Sequence, residues 1–434
     1  MSNNIYGGDE VNAIVLDLGT HSCKAGYSGD DTPKAVFPSV VGVQAGSGNG
    51  MEVDTGSGAG AGGKGSGRKL SVGFQPLSTK QIGMEVQSPF GPDDLFSDWE
   101  LVEALYNHAM KDRLSVKPEE FALMLAEPTH NSRAARERLV ELVFEGLQAP
   151  ALYLARSAML SAFATARQTA LVVDAGFRAT TAAAVQDGYV LQKTVSRTPL
   201  AGQLLDTAAQ AVADAKYSPL RPRYSFRRTE VKPGEFQLTS VDMAGVTSSF
   251  RLWSTEQVAA ELKEATCRTS EGRFYEAEGV HVPTVVYELP DGQELLLGPE
   301  RFRMPELFFQ PAAFVGQFQG LTLAPDARSV PEVVADTISK CDVDLRKDMY
   351  SGAILTGGTS LIHGFRERLE KEMVELVPSG TKLKLAAATN SVERRFSTWI
   401  GGSILSSLGS FQQLWMSKKE YAEHGAPLVN RKCP

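Results

Sequence analysis

Apolar residues run from Val11 to Leu16, first alternating with polar positions and then continuous, and the run closes at Asp17. This pattern predicts a strand, a tight turn over Gly19 and Thr20, and a second short strand from about Lys24. It returns at 170–185, ALVVDAGFRATTAAAV, as an apolar strand, Asp174, Gly176 and a β-leaning Thr180–Thr181 run. One Asp-x-Gly turn is an ordinary hairpin signal; two in one chain predict two similar domains facing each other.

Between and beyond the hairpins the apolar period shifts to that of helices. Apolar residues at 135, 139, 142, 143 and 147 predict a helix capped at Asn131 and stopping near Gly146. Further helices are expected at Asp98–Met110, Ser157–Ala166, Gly202–Ala215, Thr255–Cys267 and Phe365–Val377. Strands are expected at Leu70–Phe74, Phe121–Ala126 and Ala151–Leu154, and a hairpin at Thr284–Gly298 turning on Asp291–Gly292. The stretch Ala353–Gly358 reads as a strand running into a glycine pair, which suits a ligand lying on the backbone. Strands alternating with helices indicate an α/β fold.

Two stretches interrupt the pattern. Ala45–Gly67 is glycine, serine and alanine, expected as a flexible surface loop. Residues 216–250 carry prolines and mixed charge with little periodicity and read as a loop. Its cluster Arg221, Arg223, Arg227 and Arg228 reads as a solvated face, with an import signal or acidic partner as the alternative.

Composition narrows the classes. A net charge of −7 over 434 residues gives no general attraction to nucleic acid or anionic membrane, so any nucleic-acid contact is expected to be weak or indirect. The four cysteines stand far apart without a C-x-x-C pair, arguing against a disulfide framework or zinc site and for a reducing compartment. No apolar run approaches the ~18 residues of a membrane span, and MSNNIYGGDE is acidic where a signal peptide is basic. A cytosolic or nuclear protein is expected.

The turns carry the candidate chemistry. Consecutive N–H groups around Gly19 and Thr20 form a concave anion site. Lys24 adds a charge worth about 4 kcal/mol against a phosphate oxygen at roughly 4 Å. Asp17 suits a divalent metal that keeps several waters.

With these turns and AILTGG in place, the chain closely resembles the actin family. The resemblance is carried by DLGTHSCKAGYSGDDTPKAVFPSVVG, PALYLARSAMLSAFA and the C-terminal RRFSTWIGGSILSSLGSFQQLWMSKKEYAEHGAPLVNRKCP. Within the family, YGGDEV (Tyr6–Val11) and VPTVVYELPDGQELLLGPERFRMPELFF resemble the nuclear actin-related branch found in chromatin remodelling and histone acetyltransferase complexes. The resemblance implies the two-lobed actin/Hsp70/sugar-kinase fold, ribonuclease H-like in each lobe, with ATP in the cleft. The first lobe would take 1–168 and a C-terminal return at 385–434, the second 169–384.

By the same resemblance, the backbone from Thr20 to Lys24, after Gly19 and through Ser22, and the Lys24 side chain would hold the phosphates, with His21 replacing a glycine either as a phosphate-side contact or as a solvent-facing side chain. In the second turn Gly176 would let the backbone approach, and Phe177 and Arg178 replace an aspartate and a glycine. Asp17 and Asp174 would face hydrated Mg²⁺, or Ca²⁺ in its place. Lys263 and Glu264 would flank adenine and ribose, Gly357 and Gly358 the adenosine, and Arg395 would replace a lysine on the adenine side. Departures from the pattern bear on hydrolysis. Ser157 stands where actin has a water-orienting glutamine, and Thr181 where it has a histidine. A missing water-orienting group costs on the order of 10²- to 10⁴-fold in rate. The resemblance therefore implies a structural ATP turned over slowly or not at all, and no catalytic residue.

Filament formation is not expected. The glycine-rich Ala45–Gly67 offers no apolar anchor where actin docks its neighbour, and Gly316–Val334 replaces the plug region with a longer stretch. Phe163, Leu405, Leu408 and Leu414 would line a groove at the base of the lobes. There the resemblance implies docking of the HSA helix of a remodelling ATPase, beside actin or another actin-related subunit, with histones as further partners. Nuclear localisation follows from the same resemblance.

Overall fold

The computed structural model describes residues 13–46, 67–216, 219–275, 279, 281–324 and 327–434. Most of the glycine-rich insertion (47–66) and the N-terminal twelve residues, YGGDEV included, therefore lie outside the described residues.

The first hairpin forms as β1 (Ala13–Leu18) and β2 (Ser22–Tyr27), followed by β3 (Ala35–Pro38). Strands β4 (Val41–Ala45), β5 (Arg68–Val72) and β6 (Glu85–Gln87) make a small three-stranded sheet at the tip of the lobe, beside helix α1 (Phe74–Ser78). The strand expected at Leu70–Phe74 thus ends at Val72, because Gly73 turns with φ +95 and starts the helix. Helix α2 (Trp99–Asn107) is capped by Asp98, whose carboxylate accepts from the Glu100 and Leu101 N–H groups.

Strand β7 (Ala122–Glu127) leads into α3 (Arg133–Glu141). The cap here is Ser132 and not Asn131: Ser132 Oγ accepts from Ala135 N at 3.2 Å, while Asn131 is turned inward, donating to Glu127 at 2.8 Å. Next come β8 (Ala151–Arg156) and α4 (Ser157–Ala164), the latter two residues shorter than expected.

The second lobe repeats the plan with β9 (Ala170–Ala175), β10 (Thr180–Gln186), β11 (Tyr189–Val190), β12 (Ser196–Thr198) and α5 (Gly202–Lys216). Residues 216–250 are not the structureless loop their composition suggests. They contain a hairpin, β13 (Phe226–Lys232) and β14 (Glu235–Ser240), and run into α6 (Ser248–Thr266), which starts earlier than its apolar period indicates. The arginine cluster is largely paired: Arg223 to Glu261, and Arg228 to Glu288 at 2.7 Å while lying over the Phe236 ring. The hairpin expected around Asp291–Gly292 forms as β15 (Val285–Glu288) and β16 (Glu294–Leu297). Then follow β17 (Ala353–Thr356), α7 (Phe365–Leu376), β18 (Leu385–Ala387), α8 (Ser397–Ser407) and β19 (Met416–Ser417).

The duplication is visible in the sheets. In the first lobe the order is β19-β8-β7-β1-β2-β3, with β7 and β8 parallel to β1 and β2 antiparallel to it. The second lobe has the order β11-β10-β9-β17-β18, with β17 and β18 parallel and β10 antiparallel to β9. Each sheet carries its own apolar core. Because β18 pairs with β17, the second lobe's sheet extends through Ala387, past the return point at 385; the chain is back in the first lobe by α8.

Helix α8 fixes the first lobe's central strand. Trp399 Nε1 donates to Val15 O at 3.0 Å, and a Cβ on Gly401 would fall 1.8 Å from Leu160 O, so glycine permits the contact with α4. Among the described residues no helix is long and apolar enough to cross a membrane, and all four cysteines are buried and free.

Candidate functional site

Both hairpin turns, the β17 glycine pair and α6 border one cleft of about 990 Å³ between the lobes. It lies beyond the carboxyl ends of β1 and β9, where open α/β sheets bind ligands. The first turn is held tightly. Asp17 and Lys24 are register partners across β1 and β2, and their charges meet at 3.0 Å. Ser39 Oγ donates to Gly19 O at 2.6 Å, and Gly19 N donates to Ser22 O at 3.2 Å.

The second turn closes through Gly176 N donating to Ala179 O at 3.1 Å. Asp174 faces the cleft from the end of β9, and its carboxyl is pushed up to about 6, first by lost hydration and then by Asp17, with Lys24 opposing. Two carboxylates from opposite lobes thus repel each other across the cleft floor, an arrangement that a divalent cation would relieve. Among the described residues no group of three or more His, Cys, Asp or Glu gathers there. A cation held by Asp17 and Asp174 would therefore complete its shell with water and phosphate, which suits Mg²⁺.

The glycine pair closes the site. Gly357 has φ +91, and a Cβ there would lie 2.3 Å from Ala175 O and 2.4 Å from Asp174 Oδ1. Only glycine fits this cradle. Thr359 Oγ1 then ties the pair to the second turn by donating to Gly176 O at 2.7 Å. Arg395 lies against Gly358 and is paired with Glu264 at 3.8 Å, while Lys263, also lining the cleft, is paired with buried Asp206 at 2.6 Å. Burial pushes Asp206 up to about 6 despite Lys263. The structure thus brings together every nucleotide-site residue expected from the sequence: Asp17, Gly19, Thr20, His21, Ser22, Lys24, Asp174, Gly176, Phe177, Arg178, Lys263, Glu264, Gly357, Gly358 and Arg395 all line this cleft.

The substituted positions have new partners. His21 and Phe177, one from each turn, meet edge to face with centroids 4.8 Å apart. Lost hydration, then Lys24, Lys263 and Arg395, hold the His21 imidazole down to about 4. Arg178 reaches the first lobe, donating to Gly91 O at 3.3 Å and pairing with Asp94 at 3.4 Å. Ser157 Oγ lies 2.8 Å from Thr129 Oγ1, so its short side chain is engaged at the cleft wall. Thr181 pairs in register with Asp174.

Three cleft residues carry no local sequence signal. Arg197 joins Asp94 and also donates to Asp93 O at 3.1 Å. His130, three residues past Glu127 at the end of strand β7, bonds Asp93 O at 2.9 Å, and burial lowers its pKa. Its position at the carboxyl end of a strand parallel to β1 was the one available clue.

The basal groove is only partly as expected. Leu405 is 7% exposed and belongs to the first-lobe core, because i, i+4 spacing places it on the Gly401 face of α8, against α4. Leu408 and Leu414 are 43% and 40% exposed, Ile404 joins them, and Phe163 is half-buried at the edge of the core.

Two lobes on one duplicated sheet plan, each aiming an Asp-x-Gly turn into a shared cleft, define an actin-like architecture. The chain belongs to the actin family, whose sequence profile, described as Actin, matches residues 8–434. It is similar to Actin-related protein 4 of Arabidopsis thaliana, 48% identical over 442 residues, covering 99% of this chain and 100% of that one. Actin-related protein 4 of Oryza sativa subsp. japonica is 45% identical over 445 residues, covering 99% and 100%. That of Yarrowia lipolytica is 35% identical over 431 residues, covering 99% and 97%.

Proposed function

We propose that this protein is a nuclear actin-related subunit of chromatin remodelling and histone acetyltransferase complexes that holds ATP with Mg²⁺ as a structural ligand. The observation that carries the nucleotide reading is the convergence of the Asp17–Lys24 pair, Asp174 and the Gly357 cradle on one cleft. Lys24 and the Gly19–Thr20 backbone would hold phosphates, Asp17 and Asp174 the hydrated cation, and Lys263, Glu264 and Arg395 the nucleoside. Bound at about 1,000 times its dissociation constant, such a ligand stabilises the fold by about 4 kcal/mol. Slow turnover is supported by Ser157, whose hydroxyl is engaged with Thr129 and is too short to orient an attacking water.

The assembly role rests on the likeness to Actin-related protein 4 and on the exposed Leu408, Leu414 and Ile404. Such an apolar face suits an amphipathic helix. We assign it to the HSA helix of a remodelling ATPase, with actin or another actin-related subunit alongside and histones as further contacts. Denaturing freshly purified protein and identifying the released nucleotide by chromatography tests the first part. Stoichiometric ATP supports a structural ligand; no nucleotide contradicts it. Leu408→Asp should abolish co-purification with the ATPase and leave the melting temperature within a few degrees; normal assembly would remove the groove assignment.

A second reading, an ATPase whose nucleotide state switches assembly, is favoured by His130. Its imidazole lines the cleft, bonded to Asp93 O at 2.9 Å, and burial lowers its pKa. Mostly ADP in the chromatographic assay would bring this reading forward.

A further inference from the structure

The segment 216–250 carries a surface that the cleft does not use. Among the described residues β13 and β14 pair only with each other, as do β15 and β16, and a lone two-stranded hairpin is marginal in water. Arg228 ties the two hairpins together. Its Nη1 meets Glu288 at 2.7 Å, and its guanidinium stands 4.0 Å from the centre of the Phe236 ring. A Cβ on Gly292, at the β15–β16 turn, would lie 3.4 Å from Arg228 Cζ.

Strand register decides which side chains share this surface. Leu238 stands opposite Arg228 and Phe236 opposite Glu230, so these four project from one face of the first hairpin. The other face is polar, with Arg227, Thr229, Gln237 and Thr239. On the second hairpin Val286 lies two residues before Glu288 and opposite Leu296, while Glu294 stands opposite Glu288. Leu295 and Leu297 turn into the second-lobe core, and Leu296 turns out. Phe236, Leu238, Val286 and Leu296 thus flank the Arg228–Glu288 pair and are 47%, 42%, 54% and 47% exposed. The charges of this surface are uneven. Arg228 and Glu288 satisfy each other, whereas Glu230 bonds only Gly234 N, at 3.0 Å, and Glu294 has no ion-pair partner among the described residues. The neighbouring cations are already taken: Lys232 pairs with Glu235 at 3.5 Å and Lys216 with Glu300 at 2.9 Å. Carboxylates edging apolar side chains complement a cationic occupant.

We propose that the joined hairpins β13–β14 and β15–β16 form a docking surface for a basic segment of a partner protein. Apolar side chains of that segment cover Phe236, Leu238, Val286 and Leu296, and its lysines or arginines reach Glu230 and Glu294. The occupant supplies the second layer that two-stranded sheets lack. The proposal is independent of the nucleotide in the cleft and of the basal groove.

The test titrates the full chain into a short fluorescein-labelled peptide that alternates lysine and leucine, read by anisotropy at about 0.1 M salt. Saturable one-to-one binding is expected, weakened about tenfold by Phe236→Ser/Leu238→Ser and about tenfold by Glu230→Lys/Glu294→Lys. Glu294→Lys alone leaves the first hairpin untouched and should weaken binding about threefold. An acidic chain also attracts cations without any site, so Glu119→Lys/Glu423→Lys, exposed on the first lobe, makes the same charge change elsewhere and should leave affinity within about twofold. A peptide alternating glutamate and leucine should bind at least about tenfold more weakly than the lysine peptide. No binding by the parent, equal binding by parent and hairpin variants, or an equal loss in the first-lobe control would overturn the proposal. Dimerisation of the parent that Phe236→Ser/Leu238→Ser abolishes, read by sedimentation, would give the face to a second copy and overturn it as well.

Discussion

The two Asp-x-Gly turns descend from one pattern and have become different devices. In the first lobe the turn keeps its charges to itself: Asp17 meets Lys24 at 3.0 Å, and Ser39 pins the turn from behind. In the second lobe Asp174 has no ion-pair partner among the described residues, and the two side chains after Gly176 leave the turn altogether. Phe177 goes to His21 and Arg178 to Asp94, both on the opposite lobe. In the proposed function the first turn would meet phosphate, whereas the second reaches across to the other lobe.

The largest expected effect breaks the support shared by both turns. Gly357→Ala places a Cβ against Ala175 O and Asp174 at positive φ. It should cost about 3 kcal/mol or more, read as a fall in melting temperature with loss of bound nucleotide.

Asp174 sharpens the contrast through pH. Its folded-state pKa near 6 lies above the usual carboxylate value of about 4. The folded protein therefore keeps a proton that the unfolded chain releases, and stability falls as pH rises between about 4 and 6. Asp174→Asn should remove that component, at most about 3 kcal/mol, from melting curves of metal-free, nucleotide-free protein; an unchanged pH profile would contradict the account.

Lys24→Ala should act on binding instead. Losing one charge-assisted contact costs about 2 kcal/mol, or roughly 30-fold in ATP affinity by titration calorimetry. The smallest effect is expected from Arg178→Gly, which cuts the link to Asp94. A partly exposed ion pair is worth about 1 kcal/mol or less, so nucleotide release should quicken no more than about fivefold.

Both turns were legible in the sequence because each is local: an apolar run, an aspartate, a glycine and a second run within about fifteen residues. The glycine pair at Gly357–Gly358 was legible for the same reason. What could not be read was set by distant partners or by helix phase. Asp94, Arg197 and His130 have no motif, and they matter only because three separate segments meet at the cleft. Leu405 and Leu408 look alike in sequence, yet their places at the end of α8 bury one and expose the other. Asn131 and Ser132 are both good caps, and the choice fell to Ser132 because Glu127 claims Asn131. The hairpin at 226–240 was hidden because its strands are exposed on both faces almost throughout and so lack an apolar period.

The central claim is that the cleft holds ATP without consuming it. Its most direct test is a single-turnover measurement on protein loaded with γ-³²P-labelled ATP, following release of labelled phosphate. The account predicts that most of the label stays in ATP over hours at 25 °C. Stoichiometric phosphate within minutes would contradict it, and would show that the substituted second turn still supports hydrolysis.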